Sequence, residues 1–208
     1  RATAGDNRLG GDDFNDALAA AARPLLDPAG RLDTIAPQRA EALLFQAAER
    51  ARRSLSEHDE ADVAITLDGE RLATRISTAQ FEEWVAPLLH RLRDPLARAL
   101  RDSAIEAAAL SDIVLVGGGT RMPAVRRAIT RLFGRFPNAT VHPDHAVALG
   151  ASMQAGLLDR AGGLEEIRIT DVCPFTLGVD HAVRDGRGGH QSGIFSPIIE
   201  RNTPVPVS

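Results

Sequence analysis

Cysteine is nearly absent from the 208 residues. Cys173 stands alone, so no disulfide framework can form within the chain, which fits a reducing compartment. No apolar run approaches the length of a membrane span, and no stretch reads as a signal peptide. An excess of positive charge is lacking as well. The formal net charge of -4 excludes the overall basic footprint of a nucleic-acid binder, while a local arginine cluster could still hold an anion. The histidines are scattered, and the close pair His142 and His145 has no Cys or carboxylate pattern beside it, so no metal site is expected. There is no Ser–His–Asp signature and no carboxylate pair for glycoside chemistry, so no catalytic residue is nominated. What is present is ordinary globular material, 44% hydrophobic and 25% charged, enough to bury a core without staples in one or two domains. The chain opens on Arg1 rather than Met and closes on the strand-like run "RNTPVPVS"; both ends read as cuts, and a piece of a longer protein is expected.

Along the chain, "RATAGDNRLGGDDFNDALAAAARPLL" turns at Gly10-Gly11 and becomes helix, with Asp12 and Asp13 in the first turn where carboxylates favour the positive end of the helix dipole. Pro24 is expected to disturb that helix near its end, and Asp27 to Ala36 reads as loop. Pro37 suits the first position of a second helix running to about Ser56, with an apolar stripe of Ala40, Leu43, Leu44, Ala47, Ala51 and Leu55. "ADVAITLDGERLATRIS" alternates about Asp68-Gly69, the strongest hairpin signal in the chain. Ser77 to Gln80 is a capping-box pattern before a long helical stretch that Pro95 should break or kink. "DIVLV" has the look of a strand buried on both faces, and it runs through Gly117, Gly118 and Gly119 into a helix from Met122 to Phe133. A further helix starts at about Asp144. After "DRAGG" the pattern turns to strands, in "DVCPFTLGVD" and "SGIFSPIIERNTPVPV".

Two constellations stand out. The glycine corner is neither a Walker A motif, since no Gly-Lys-Ser/Thr follows, nor a Rossmann fingerprint, since Met122 stands where the last glycine should be. A bare strand-to-helix corner is either a tight turn or a place where backbone N–H groups meet an anion or a ribose. On the second helix, Glu49, Arg52, Arg53 and Ser56 form one polar stripe. Either it is a solvated face laced by ion pairs, or it is a ligand-facing ridge on which a guanidinium plane stacks against a base. Asp144 after Pro143 reads as a helix N-cap. Met122, Met153 and Trp84 read as core, and Cys173 as structural.

In order and spacing, "AGDNRLGGDDF", "AAERARRSLS", "VLVGGGTRMPAV", "HPDHAVALGASMQAGLL" and "DVCPFTLGVD…IIERNTPVPVS" resemble the DnaK-type heat-shock chaperone family over nearly the whole chain. The tail looks most like the HscC branch of the bacterial cytoplasm. The resemblance implies an α/β fold: lobe II of an actin-like, ribonuclease H-like ATPase domain over residues 1–163, with a helix–hairpin–helix subdomain over about 12–94. It implies an interdomain linker at 164–171 and, over 172–208, the first strands of a peptide-binding β-sandwich. It implies ATP or ADP as ligand, with Mg in the intact parent protein. Gly10 and Gly11 would edge the phosphate side, Glu49, Arg52 and Ser56 would contact ribose and adenine, and Gly117, Gly118 and Gly119 would form the nucleoside turn. Arg53 and Arg121 would flank the adenine faces, and Asp144 would be the acidic position near the inner end of the cleft. The implied partners are unfolded or hydrophobic peptide clients, a J-domain co-chaperone and a nucleotide exchange factor, in a stress-response and protein-folding role, with neither nucleic acid nor membrane. The sequence departs from the family in having Arg52 for a usual Lys, Gly119 for a usual Ser, His142 and His145 for a usual Asn and Glu, and a less aliphatic linker, "EEIRITDV".

Two other functions remain open: a different actin-like phosphotransferase such as a sugar kinase, and a degenerate, non-enzymatic scaffold of the chaperone family. Two lone strands of a sandwich are marginal and leave open edges, so the tail is expected to be disordered or to pair with a neighbouring molecule. The family's first phosphate loop, catalytic Lys and metal-binding Asp belong to the first lobe, and the loop Asp-Leu-Gly-Gly-Gly-Thr would precede Arg1. Phosphoryl transfer depends on such positioning and charge clamps. This chain by itself is therefore expected to hydrolyse ATP negligibly in a phosphate-release assay, and a turnover rate matching an intact chaperone would refute it.

Overall fold

A computed structural model describes residues 2–140, 142–159, 171–184 and 190–205. The chain divides into two compact units, one formed by Asp6–Asp94 with Ala108–Ser152, the other by Arg1–Gly5, Pro95–Ala107 and Met153–Ser208.

In the first unit, helix α1 (Gly11–Leu26) starts where Asp13 takes the Gly10 N–H on its carboxylate at 2.7 Å. Phe14, Leu18, Ala22 and Leu26 recur every fourth residue and are buried. Pro24 does not stop the helix early. It lies in the last turn, where the missing N–H removes one bond and the chain leaves the helix two residues later. The expected loop from Asp27 to Ala36 contains a 3-10 turn, Arg31–Thr34. The buried Asp27 carboxylate organises it by accepting the N–H groups of Arg31 at 3.0 Å and Leu32 at 2.7 Å. Helix α2 (Pro37–Ser54) opens on its proline and buries Ala40, Leu44, Ala47, Ala48, Ala51 and Arg52 against α1 and the first strand. Its alanines allow that close approach.

Strands β1 (Glu60–Leu67) and β2 (Glu70–Ser77) pair antiparallel across Asp68 and Gly69. Both turn residues have positive φ, 51° and 86°, as a type I′ turn requires. Ala61, Val63, Ile65 and Leu67 face inward and are buried. On the other face Asp62 accepts from Arg75 Nε at 2.9 Å and Arg71 Nη2 at 3.4 Å. Ser77 caps helix α3 (Thr78–Arg91) in the expected box: Gln80 N donates to Ser77 Oγ at 3.3 Å, and Ser77 N to Gln80 Oε1 at 2.9 Å. The break comes before Pro95, because its ring excludes the helical position of the carbonyl four residues back, that of Arg91, where α3 ends. Pro95 itself falls in the first turn of helix α4 (Arg93–Ser103), which lacks intrahelical acceptors for its N–H groups anyway.

The "DIVLV" segment differs from expectation. Among the described residues it forms one parallel bridge, Val114 to Asn138, rather than a strand covered on both faces. Ile113 is buried, but Val114 and Val116 are 46% and 45% exposed. A strand exists only through its partners. The single bridge is pinned by Asp112, whose carboxylate accepts from Asn138 Nδ2 and from Ile113 N. Helix α5 (Pro123–Phe133) follows as expected and ends at Gly134 with φ 68°. Helix α6 (Ala146–Leu158), shared between the two units, is apolar along its length and exposes Val147 and Leu149.

In the second unit, β3 (Asp171–Val172) pairs with β6 (Pro204–Val205), and β4 (Leu177–Arg184) with β5 (His190–Ile199), all antiparallel. The tail thus pairs within itself. Gly178 is obligatory there, since a Cβ would fall 2.2 Å from the Ser196 carbonyl oxygen. Arg201 is ion-paired with Asp102 of α4 and donates to the Thr3 carbonyl at 3.1 Å. Cys173 is buried. The linker expected at 164–171 lies outside the described residues except for Asp171.

Gly69→Ala is expected to lower stability by about 1–2 kcal/mol in urea titration, because an L side chain is disfavoured in the left-handed region. Acid dependence gives a second expectation. Asp62 is held below the usual carboxylate range by its bond from Arg75, and Asp112 by its bond from Asn138. Such groups add stability that is present above the unfolded value of about 3.9 and lost as pH falls through the folded value. Asp62→Asn should therefore be less stable at neutral pH and lose less stability on acidification, followed by circular dichroism.

Candidate functional site

The glycine corner has two kinds of glycine. Gly117 sits at φ 92°, ψ 153°, a conformation closed to other residues whatever the space around it. Gly118 is not constrained in that way, and a Cβ there would meet nothing within 4 Å. A Cβ on Gly119 would lie 3.8 Å from the Gly11 backbone, an ordinary contact. The corner's own backbone conformation therefore requires only the first glycine, and packing requires none of the three. The corner continues as a short 3-10 turn, Gly118–Arg121, stitched by Thr120 Oγ1 donating to the Gly117 carbonyl at 2.7 Å. Gly117 N donates to the Pro143 carbonyl at 3.1 Å, which ties the corner to the segment before α6.

Gly10 and Gly11, at the start of α1, and Gly117, Gly118 and Gly119 line one hollow of about 330 Å³. Its remaining wall is largely apolar and includes Phe14, Val116 and Met122. A bare backbone over an apolar floor can receive a flat, largely apolar body against the main chain. A larger groove of about 450 Å³ between α3 and α5 contains none of the candidate residues.

The polar stripe of α2 splits. Arg52 turns inward: its Nε donates to Asn15 Oδ1 at 2.6 Å, and its Nη2 lies 3.7 Å from where a Gly11 Cβ would be. Burial pulls its pKa below the ordinary guanidinium value, opposed by the charge of Glu49. Arg53 stays in solvent and donates to Glu49 Oε1 at 2.7 Å, the i, i+4 pair of a solvated face. Ser56 Oγ donates to the Arg52 carbonyl at 3.2 Å. Arg121 is ion-paired with Asp144, and its Nη2 is 3.3 Å from His142 Nε2. The His142 and His145 rings stack at 4.2 Å. Asp144 therefore spends its carboxylate on Arg121 while α6 begins at Ala146. Glu49, Arg52, Arg53, Ser56, Arg121 and Asp144 are not part of the hollow's lining. Among the described residues no group of three His, Cys, Asp or Glu side chains could hold a metal ion.

Asn15 was not singled out by sequence reasoning. It is fully buried, and its Nδ2 has no hydrogen-bond partner. The signal was there: an amide beside Phe14 and Leu18 on the inward face of α1, one turn after Gly11.

The model of the family described as Hsp70 protein matches residues 1–208. The chaperone protein DnaK of Deinococcus proteolyticus is 38% identical over 99% of this chain and 32% of its own length. DnaK of Thermus thermophilus is 36% identical over 99% of this chain and 33% of its own length. The chloroplastic stromal 70 kDa heat shock-related protein of Spinacia oleracea is 36% identical over 99% of this chain and 34% of its own length. The chain spans about a third of the length of these curated relatives.

The two kinds of glycine separate by mutation. Gly117→Ala should lower stability by about 1–3 kcal/mol through backbone strain. Gly118→Ala should leave the thermal midpoint unchanged, because its methyl group enters open space. Equal destabilisation by both would show that the corner is built for packing alone.

Proposed function

The chain belongs to the Hsp70 family, and on that premise we propose that it supplies the adenosine side of an ATP or ADP site in an ATP-dependent molecular chaperone. One observation carries this: two glycine segments far apart in sequence line the same hollow, and the openness at Gly118 has no use in the protein's own packing. A nucleoside lying on the bare main chain gives those glycines a reason.

In this assignment Gly117, Gly118 and Gly119 carry the nucleoside, while Gly10 and Gly11 edge the phosphates. Glu49, Arg52 and Ser56 serve ribose and adenine, with Arg53 and Arg121 over the adenine faces and Asp144 at the inner end. Arg53 and Arg121 each rest on a carboxylate, Glu49 and Asp144, at the surface. Exposed pairs of this kind are worth little, about 0–1 kcal/mol, so a planar ligand can recruit either guanidinium at small cost. The phosphate chemistry, including Mg, belongs to parts of the parent protein beyond these residues.

In the parent protein the nucleotide state would control the binding of unfolded or hydrophobic peptides. The coupling would run through the linker at 164–171 to the sandwich that begins at 172, as a free energy shared between two sites. A J-domain protein and an exchange factor are the partners this role requires, and the bacterial cytoplasm is the compartment it implies. The tail motifs "ITDVCPFTLGVD" and "SGIFSPIIERNTPVPVS" favour the HscC branch.

Calorimetric titration of ADP into the full-length protein tests the site. Gly118→Leu is expected to weaken ADP at least tenfold while leaving the thermal midpoint in place. Unchanged ADP affinity would remove the corner from the site.

A further inference from the structure

The groove between α3 and α5, about 450 Å³ in volume, takes no part in the site described above. Two helix faces wall it with matching spacing. On α3, Glu82, Ala86, Leu89 and His90 fall at i, i+4, i+7 and i+8, and Arg93 continues that wall at the start of α4. On α5, Ala124, Ala128 and Leu132 recur every fourth residue, with Arg127 and Arg131 on the rim. The floor is apolar and low: Ala86 and Ala128 contribute one methyl group each, and Leu89 and Leu132 are half-buried. From Glu82 to His90, and from Ala124 to Leu132, each wall runs about 12 Å at the helical rise, roughly two turns. The rim is cationic. Glu82 is committed to Arg127 in an ion pair, which cancels both charges. Arg93 and Arg131 are exposed, and among the described residues neither has an ion-pair partner. The chain as a whole carries a net charge of -4, so two unpaired guanidinium groups beside an aliphatic floor run against the general sign of the molecule.

We propose that this groove docks an acidic amphipathic helix of a partner protein, its apolar face on Ala86, Leu89, Ala128 and Leu132 and its flanking carboxylates on Arg93 and Arg131. A helix held in a groove anchors through apolar side chains at i, i+3, i+4 and i+7. The alanines leave room for such side chains between α3 and α5. A guanidinium receives a carboxylate on two parallel N–H groups, so the two free arginines favour an acidic helix and repel a basic one. A nucleic acid would engage the cations and leave the aliphatic floor unused. A wholly apolar segment would fill the floor and leave the cations unused. Only an occupant with both features matches both halves of the groove. The proposal is independent of the nucleotide reading, because no residue of this groove lines the glycine hollow.

The test uses two fluorescently labelled helical peptides of equal length, each with Leu at i, i+3, i+4 and i+7. One carries Glu on both flanks of that stripe, the other Lys. Both are titrated by anisotropy into the full-length protein, into the double variant Arg93→Gln with Arg131→Gln, and into Ala128→Gln, which fills the floor. The Glu peptide is expected to bind at least tenfold tighter than the Lys peptide. The double variant should abolish that preference, and Ala128→Gln should weaken the Glu peptide fivefold or more, with thermal midpoints in place. Arg93 and Arg131 are exposed, so the double variant keeps the test intact should Ala128→Gln disturb the packing. Equal binding of the two peptides, no binding of either, or Glu-peptide binding untouched by the double variant overturns the proposal. A single-stranded oligonucleotide bound through the same arginines, or a wild-type dimer in sedimentation that the double variant dissociates, gives the groove to another occupant and overturns it as well.

Discussion

The packing of α1 against α2 is the constraint from which the site follows. Alanines at 40, 47, 48 and 51 let the two helices approach closely, and that approach draws Arg52 inward until its guanidinium lies beside the first residue of α1. The start of α1 in turn lies against the glycine corner, with Gly11 in contact range of Gly119. The hollow lined by these two glycine segments therefore depends on helix packing as well as on the conformation of the corner itself. Sites built on packed elements hold their geometry more firmly than sites on loops.

Much of this was legible in the sequence where local chemistry decides structure. Asp68-Gly69 accepts two left-handed residues, Ser77 and Gln80 cap each other, and Pro37 starts a helix; each signal needs no distant partner. "DIVLV" reads as a covered strand, but strand character depends on neighbours, and among the described residues only Asn138 provides one. Charge alone groups Arg52 with Arg53 on the polar stripe. The spacing from Leu44 through Ala48 to Arg52 places it instead on the buried row, a case where position outweighs residue type. Asn15 is inconspicuous in sequence for the same reason in reverse, as a small polar residue on an inward face. The grouping of Gly10 and Gly11 with Gly117 to Gly119 came from family likeness, since nothing local in either segment refers to the other.

Apolar surface is distributed unevenly. The α1–α2–hairpin layer buries its large side chains almost completely, Val63 and Leu18 at 0% exposure among them. Val114, Val116, Val147 and Leu149, by contrast, stand open in the first unit, and Phe175, Phe195 and Ile198 in the second. An apolar segment with an unfilled hydrogen-bonding edge is the part of a chain most prone to non-native pairing. The well-packed layer and the open segments therefore differ in what holds them, the former by side-chain burial and the latter by a few polar pins such as Asp112 and Arg201.

The Asp68-Gly69 turn has an evolutionary corollary. Because two left-handed residues dictate how the strands meet, their alignment owes little to the outward side chains at Asp62, Arg71 and Arg75. A slip by a single position would carry Val63, Ile65 and Leu67 into water together, so lengthening or shortening the turn is closed to drift. The exterior of this ribbon is thus free to change its charge from one lineage to another while its shape is inherited intact, which makes it a surface where homologues can diverge in what they touch without diverging in how they fold.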